Sequence, residues 1–247
     1  MNYKTQMNGK ERVMVISDMQ IPAHHKDSIR FLAAVKEMIE PTEVVCIGDI
    51  LDFAAISFHT QNPDLPSAGD ELKQSKPVLK RVFELFPDVH LLESNHDQRV
   101  YRRAQYSGLA TPMISPLLDI IDAPEGWKLV EDAVIDGVLY MHGDTGRGGM
   151  LAALKKAQDN FISVVQGHLH ASFEISYFAN RFALIFGMTV GCLMDHNHLA
   201  AAYGKKMHKK IILGTGAVIN GYPVLIPMNL TPRGRWTGKL NPISIKK

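Results

Sequence analysis

The chain has 247 residues, 46% of them hydrophobic and 21% charged, with a formal net charge of +2. That composition describes an ordinary globular chain, long enough to bury a full core, and excludes a disordered one. So small a net charge gives no argument for nucleic-acid binding by itself. Two cysteines, Cys46 and Cys192, argue against a disulfide framework, and the longest apolar stretch, 182–194, is too short and too broken by glycine for a membrane span. The polar start "MNYKTQMNGKER" carries no apolar signal core, so a reducing cytoplasm and no membrane contact are expected.

In chain order, "RVMVIS" reads as a buried strand. Residues 27–39 follow as a helix, with Ile29, Leu32, Val35 and Ile39 at helical spacing and Asp27 as its cap. "EVVCIG" is a second strand, and "GDELKQSKPVLKRVFELF" a second helix that Pro77 could restart. Then come the strands "VHLLES" and "AVIDGVLYMHG", a helix over 146–160, and the strands "FISVVQG", "SFEISYF", "FALIFGM", "KIILGTGAVI" and "PVLIPM". Asn220-Gly221 signals a two-residue hairpin between the last two. Alternation of strand and helix in the first half predicts parallel pairing, and the strand-rich remainder predicts a layered α/β sandwich. The whole of 1–247 is expected to form one domain, with a cap or loop insertion around 193–210. The 182–194 run is either a core strand or part of a subunit interface, and homo-oligomerisation stays open.

The chemistry collects where the early strands end. Asp18 and Gln20 follow the first and, two residues apart, project to one side of an extended chain. "GDILD" supplies Asp49 and Asp52, "SNHD" supplies Asn95, His96 and Asp97, "HGD" supplies His142, and "GHLH" supplies His168 and His170. A single aspartate after a strand is ordinarily a turn or cap residue. Turn chemistry does not explain three histidine-bearing pieces at the same kind of place, and in α/β sheets ligands bind outside the carboxyl ends of strands. Carboxylate, carboxamide and imidazole donors without thiolate suit Mn²⁺, Fe or Zn²⁺. There are enough for two ions sharing one aspartate, a pair about 3.5–4 Å apart that can clamp an in-line displacement at phosphorus.

This ordered set resembles the calcineurin-like metallophosphoesterase family, whose pattern is D-x-H, G-D-x-x-D, G-N-H-D/E, a lone H, then G-H-x-H. The resemblance covers roughly the first three-quarters of the chain. It implies an α/β/β/α sandwich of two mixed sheets flanked by helices, and a phosphodiesterase using a metal-bridging hydroxide. It implies that Asp18, Gln20, Asp49 and His170 hold one divalent ion and Asn95, His142 and His168 the second, with Asp49 bridging. The ions would be Mn²⁺, with Fe, Zn²⁺ or Ni²⁺ as alternatives. His96 would face the phosphate, Asp97 would hydrogen-bond His96 and fix its tautomer, and Asp52 would be structural.

Two departures stand out. Ser94 replaces the family glycine, which the backbone tolerates if it is not left-handed there. Gln20 replaces the family histidine; its amide oxygen either coordinates a hard ion or hydrogen-bonds a water on the metal. Phe53 after Asp52, and Asp97 in place of glutamate, lower the protein-phosphatase reading. Arg99, Arg102 and Arg103 could receive a phosphate backbone with Tyr101 or Tyr106 stacking on a base, or could be an ordinary helix face; of these, Arg99 is the expected substrate contact. The lysine-rich 204–210 and the segment 231–239, with Arg233, Arg235 and Trp236, form local basic patches. These favour DNA, RNA or a nucleotide as the substrate. The alternatives are a phosphomonoesterase acting on nucleotides or phosphoproteins, and a catalytically silent scaffold.

Overall fold

The structure is a computed structural model that describes residues 9–59, 62–146, 148–200 and 210–241. The elements run β1 (Arg12–Ile16), α1 (Ser28–Ile39), β2 (Glu43–Cys46), α2 (Ala68–Leu85), β3 (Val89–Leu92), α3 (Arg99–Tyr106), α4 (Leu117–Ile120), β4 (Trp127–Val130), β5 (Ala133–Ile135), β6 (Val138–Met141), α5 (Ala152–Asn160), β7 (Ser163–Gln166), β8 (Phe173–Ala179), β9 (Leu184–Val190), β10 (Gly214–Ile219) and β11 (Tyr222–Pro227). They build two mixed sheets, ordered β11-β10-β1-β2-β3-β4 and β5-β6-β7-β9-β8. β1 to β4 run parallel to one another, as do β6, β7 and β9.

The alternation along β1 shows how the layers assemble. Val13 and Val15 project into a cluster with Ile47, Leu92, Val138, Tyr140, Val165 and Met188, which fills the space between the sheets. Met14 and Ile16 project the other way, onto Phe31, Leu32 and Val35 of α1 and Leu79 and Val82 of α2. A strand buried on both faces has no polar side, which is why "RVMVIS" reads as a continuous apolar run. Each fully buried aliphatic here contributes about 1.5–3 kcal/mol. The result is the two-sheet, helix-flanked sandwich.

Four local details differ from expectation. Asp27 does not cap α1 with its side chain; its carboxylate is drawn away to Arg235 and the Trp236 N–H. Pro77 does not restart α2, which runs as one 18-residue helix started by Ser67, whose hydroxyl accepts from Asp70 N–H. The segment "AVIDGVLYM" is not one strand but a hairpin, β5 and β6, with Asp136 and Gly137 both at positive φ. Strand β4 adds to the expected set; its sequence WKLV buries only Trp127 and is broken by Lys128, so it presents no apolar run. The Asn220-Gly221 hairpin forms as read, both residues lying at positive φ between β10 and β11. β9 is a core strand, paired on both sides. At the start of the expected cap, Leu193 and Met194 are buried, and Leu193 bonds to Asp18 and His25; residues 201–209 lie outside the described set. Among the described residues, no helix is long and apolar enough to cross a membrane.

Candidate metal centre

The carboxyl ends of β1, β2 and β3 in one sheet, and of β6 and β7 in the other, open at one edge of the sandwich. Parallel pairing aligns them, so the loops after them converge. Tight backbone makes the convergence close. Gln20, Asp49 and His168 all adopt positive φ, which turns the chain sharply at each motif. At Gly167 a Cβ would lie 2.4 Å from Asp18 Oδ2, so only glycine lets the β7 loop approach that carboxylate.

Two groups of possible ligand atoms result, Asp18, Asp49 and His170, and Asp49, His142 and His168, the atoms within each group lying within 4.8 Å of one another. Asp49 belongs to both. Asn95 joins the second: its Oδ1 lies 2.9 Å from His142 Nε2 and 3.1 Å from His168 Nδ1. Gln20 lies beside the first, turning its amide nitrogen toward it, 3.4 Å from Asp49 Oδ2 and 3.5 Å from His170 Nε2. The sequence-predicted ligand residues thus lie side by side, Gln20 with its amide nitrogen rather than its oxygen toward the others.

The donor set fits a cation. His142 Nδ1 lies 2.8 Å from the Ile47 carbonyl oxygen, which can only accept, so Nδ1 carries a proton and the neutral ring presents its lone pair at Nε2. That lone pair faces Asn95 Oδ1, and Asp49 Oδ1 lies 3.4 Å away. Acceptors crowded against acceptors in a buried place call for a positive charge between them. Asp18 Oδ2 and Gln20 Oε1 are also buried and, among the described residues, have no hydrogen-bond partner. Asp18 Oδ1 accepts from His168 N–H at 3.0 Å, which fixes the carboxylate's direction.

Charge follows the same logic. Burial would raise Asp49, but His142, His96 and His170 around it hold its carboxyl well below the usual range. Burial pulls His142 down, yet Asp49 and Asp18 more than compensate and it is raised. His168 is lowered, first by burial and then by His142.

His96 is held differently from the expectation. Asp97 does not contact its ring. The Asp97 carboxylate accepts from Ile50 N–H (3.2 Å), Leu51 N–H (3.1 Å) and Ser94 Oγ (2.7 Å), so it braces the loop carrying Asp49. Burial, then the charge of Asp49, push Asp97 up to about 6. The group that fixes the His96 tautomer is Asp52, with Oδ1 and the main-chain oxygen both 3.0 Å from Nδ1. Asp97 is the sequence neighbour of His96, yet the fold brings Asp52, 44 residues away, to the ring. Ser94 also does more than fit: its hydroxyl accepts from Asp49 N–H at 2.8 Å, and its backbone is not left-handed.

Arg99 lies against this pair. Its Nη2 is 2.9 Å from His96 Nε2 and its Nη1 2.6 Å from the Asp52 carbonyl. Arg102 and Arg103 are occupied elsewhere, Arg102 by the Asn95 carbonyl and Arg103 by the Ile56 and Ser57 carbonyls and the Phe58 ring. Tyr101 bonds the Ser115 carbonyl and Tyr106 packs on Phe58. Of that basic-aromatic cluster, only Arg99 is placed at the centre.

Sequence reading overlooked Lys156. Its ammonium, nearly buried on α5, donates to the Gly143 carbonyl at 2.6 Å and Gln166 Oε1 at 2.9 Å. It thereby ties the turn after His142 to the strand end before His168. A signal existed: Lys156 shares the helix face of Ala152, Ala153 and Ala157, where a lysine is out of place.

No protein-family model matches the chain. It is similar to the Gene 54 protein of Mycobacterium phage L5, with 27% identity over 212 residues, 75% of this chain and 80% of that protein. Among solved structures it is similar to Vacuolar Protein Sorting 29 from Cryptosporidium parvum, with a TM-score of 0.46 and 15% identity over 94% of each chain. It is also similar to a metallophosphoesterase from Sphaerobacter thermophilus, with a TM-score of 0.45 and 13% identity over 87% of this chain and 86% of that one.

Proposed function

We propose that the protein is a calcineurin-like metallophosphoesterase that hydrolyses phosphodiester bonds in nucleic acid or nucleotides. The observation that carries this reading is the pair of ligand groups sharing Asp49, with His96 and Arg99 beside them. Asp18, Gln20, Asp49 and His170 would hold one divalent ion, and Asp49, Asn95, His142 and His168 the other. Oxygen and imidazole donors without thiolate favour Mn²⁺, and the neutral Gln20 makes the first site the weaker. The chemistry such a pair supplies when bound is activation of water and neutralisation of charge on the phosphoryl oxygens.

The chain's own residues divide the remaining work. Arg99 can only donate, so its contact with Nε2 sets His96 as the neutral Nδ1–H form. An anionic phosphoryl group draws Arg99 onto its oxygens and releases Nε2. Burial opposes protonation of His96 and the Asp52 carboxylate at Nδ1 favours it, so the freed Nε2 takes a proton from water and hands it to the leaving oxygen. Asp52 holds the ring throughout.

The test uses bis-p-nitrophenyl phosphate and p-nitrophenyl phosphate, with stripped protein reloaded with Mn²⁺, Mg²⁺, Zn²⁺ or Ni²⁺. Metal-dependent turnover with the diester preferred is expected; monoester preference would move the assignment to a phosphomonoesterase. Asp49→Ala should abolish binding of both ions by calorimetry, and His96→Ala should keep both and lose most turnover. A protein that binds no ion would be a scaffold.

A further inference from the structure

The edge that carries the metal centre does not end at β1. β10 is antiparallel to β1 and β11 antiparallel to β10, so β11 is parallel to β1 and its carboxyl end opens at the same edge. Two strand spacings separate them, roughly 10 Å. The chain leaving β11, residues 228–241, folds across the start of α1. Arg235 forks onto Asp27, Trp236 N–H donates to Asp27, and His25 Nε2 meets the Gly234 carbonyl oxygen. Residues 21–27 in turn continue directly from Gln20.

These two segments and the first turn of α1 carry five cations, Lys26, Arg30, Arg233, Arg235 and Lys239, against one carboxylate, Asp27. Asp27 is buried and already neutralised by Arg235. Arg30 lies over the Trp236 ring, 5.3 Å from its centroid, which fixes its direction without cancelling its charge. The side chains of Lys26, Arg233 and Lys239 are exposed and, among the described residues, make no hydrogen bond or ion pair. A protein of net charge +2 thus carries uncompensated positive charge at the sheet edge on which the ligand groups open.

We propose that Lys26, Arg30, Arg233 and Lys239 form a track for the sugar-phosphate backbone of a nucleic-acid strand whose scissile phosphodiester lies at the metal centre. This rests on the phosphoesterase reading and narrows its substrate to a polymer. Cations spread along a strip match the repeating charge of a strand. The strip exposes no large apolar side chain, Trp236 being buried, so it lacks what a membrane-inserting surface needs. Six residues of extended chain from Gln20 to Lys26 reach at most about 22 Å, which a short oligonucleotide spans.

The test compares wild-type protein with Lys26→Gln/Arg233→Gln, two exposed positions outside the catalytic group. Binding of a fluorescein-labelled single-stranded oligonucleotide is followed by anisotropy across a salt series, alongside turnover of bis-p-nitrophenyl phosphate. The expected result is a roughly tenfold loss of oligonucleotide affinity at low salt. The slope of log K against log salt should fall by about 1.4, two contacts at about 0.7 each, with small-diester turnover unchanged. Equal affinity and slope in variant and wild type would overturn the proposal. So would binding of phosphatidylserine vesicles in place of the oligonucleotide. If the variant loses oligonucleotide affinity but neither protein turns over the small diester, the track stands and the phosphoesterase reading falls.

Discussion

Replacing Asp52 with asparagine separates its role from that of Asp97, the carboxylate expected from the sequence to hold His96. Asp52 Oδ1 lies 3.0 Å from His96 Nδ1, with side-chain exposures of 6% and 15%. Asparagine keeps the shape and the accepting oxygen but removes the charge. A hydrogen bond to a charged partner contributes about 1.5–3 kcal/mol, so its loss lowers kcat by roughly 10–100-fold. The Asp52 main-chain oxygen still accepts from Nδ1, so the ring stays in place and both ions stay bound. Because Asp52 helps raise His96, the limb of the pH–rate profile on which protonated His96 is lost should move to lower pH in the variant. Asp97→Asn should behave otherwise: it disturbs the acceptor for Ile50, Leu51 and Ser94, costs about 1–3 kcal/mol of stability, and changes kcat little. The assays are steady-state turnover against pH, metal stoichiometry by calorimetry, and urea unfolding. An Asp52→Asn protein with wild-type kcat and an unmoved profile, or one that loses activity only in step with its metal, would refute the assignment.

Lys156→Met keeps the aliphatic length but strands two buried acceptors, at Gly143 and Gln166, and should cost about 2–5 kcal/mol in urea unfolding while weakening the ion held by His142 and His168; a change below 1 kcal/mol would mean the ammonium is not bracing that half. Glu71, pushed from 4.5 up to about 7 by burial and then by Asp52, keeps its proton in the fold after the unfolded chain has released it. Its contribution is therefore present below pH 4.5 and lost as pH rises to 7, a fall of at most ~3 kcal/mol that Glu71→Gln should remove. Urea midpoints at pH 5 and pH 7.5 read the difference, and identical slopes in both proteins would sink it. Gln20→His should tighten Zn²⁺ binding at the first site relative to Mn²⁺ in competition calorimetry, since imidazole is the softer donor; no change in preference would remove Gln20 from the ligand set.

Most of the strands, and the groups that stand at their ends, are legible in the sequence. A strand buried on both faces has no polar side, so the centres of β1, β7 and β9 are visible as apolar runs. A turn needing positive φ at two successive residues selects Asn220-Gly221. Ligand chemistry needs particular side chains, so Asp18, Asp49, Asn95, His142, His168 and His170 were legible as a set. Which groups meet through loops was not, because loop contacts have no period. Asp52 rather than Asp97 reaches His96 because the chain turns left-handed at Asp49 and Phe53, bringing Asp52 back over the ring while Asp97 is consumed by the main chain it braces. Asp27 abandons its helix for an arginine 208 residues away. Arg102 and Arg103 spend their charge on carbonyls that no spacing rule reveals. Only the sheet order brings the end of β11 round to the edge where β1 ends, and so sets residues 228–241 against the start of α1. Local pattern reports what each residue can do; the tertiary structure decides which of its possible partners arrives first.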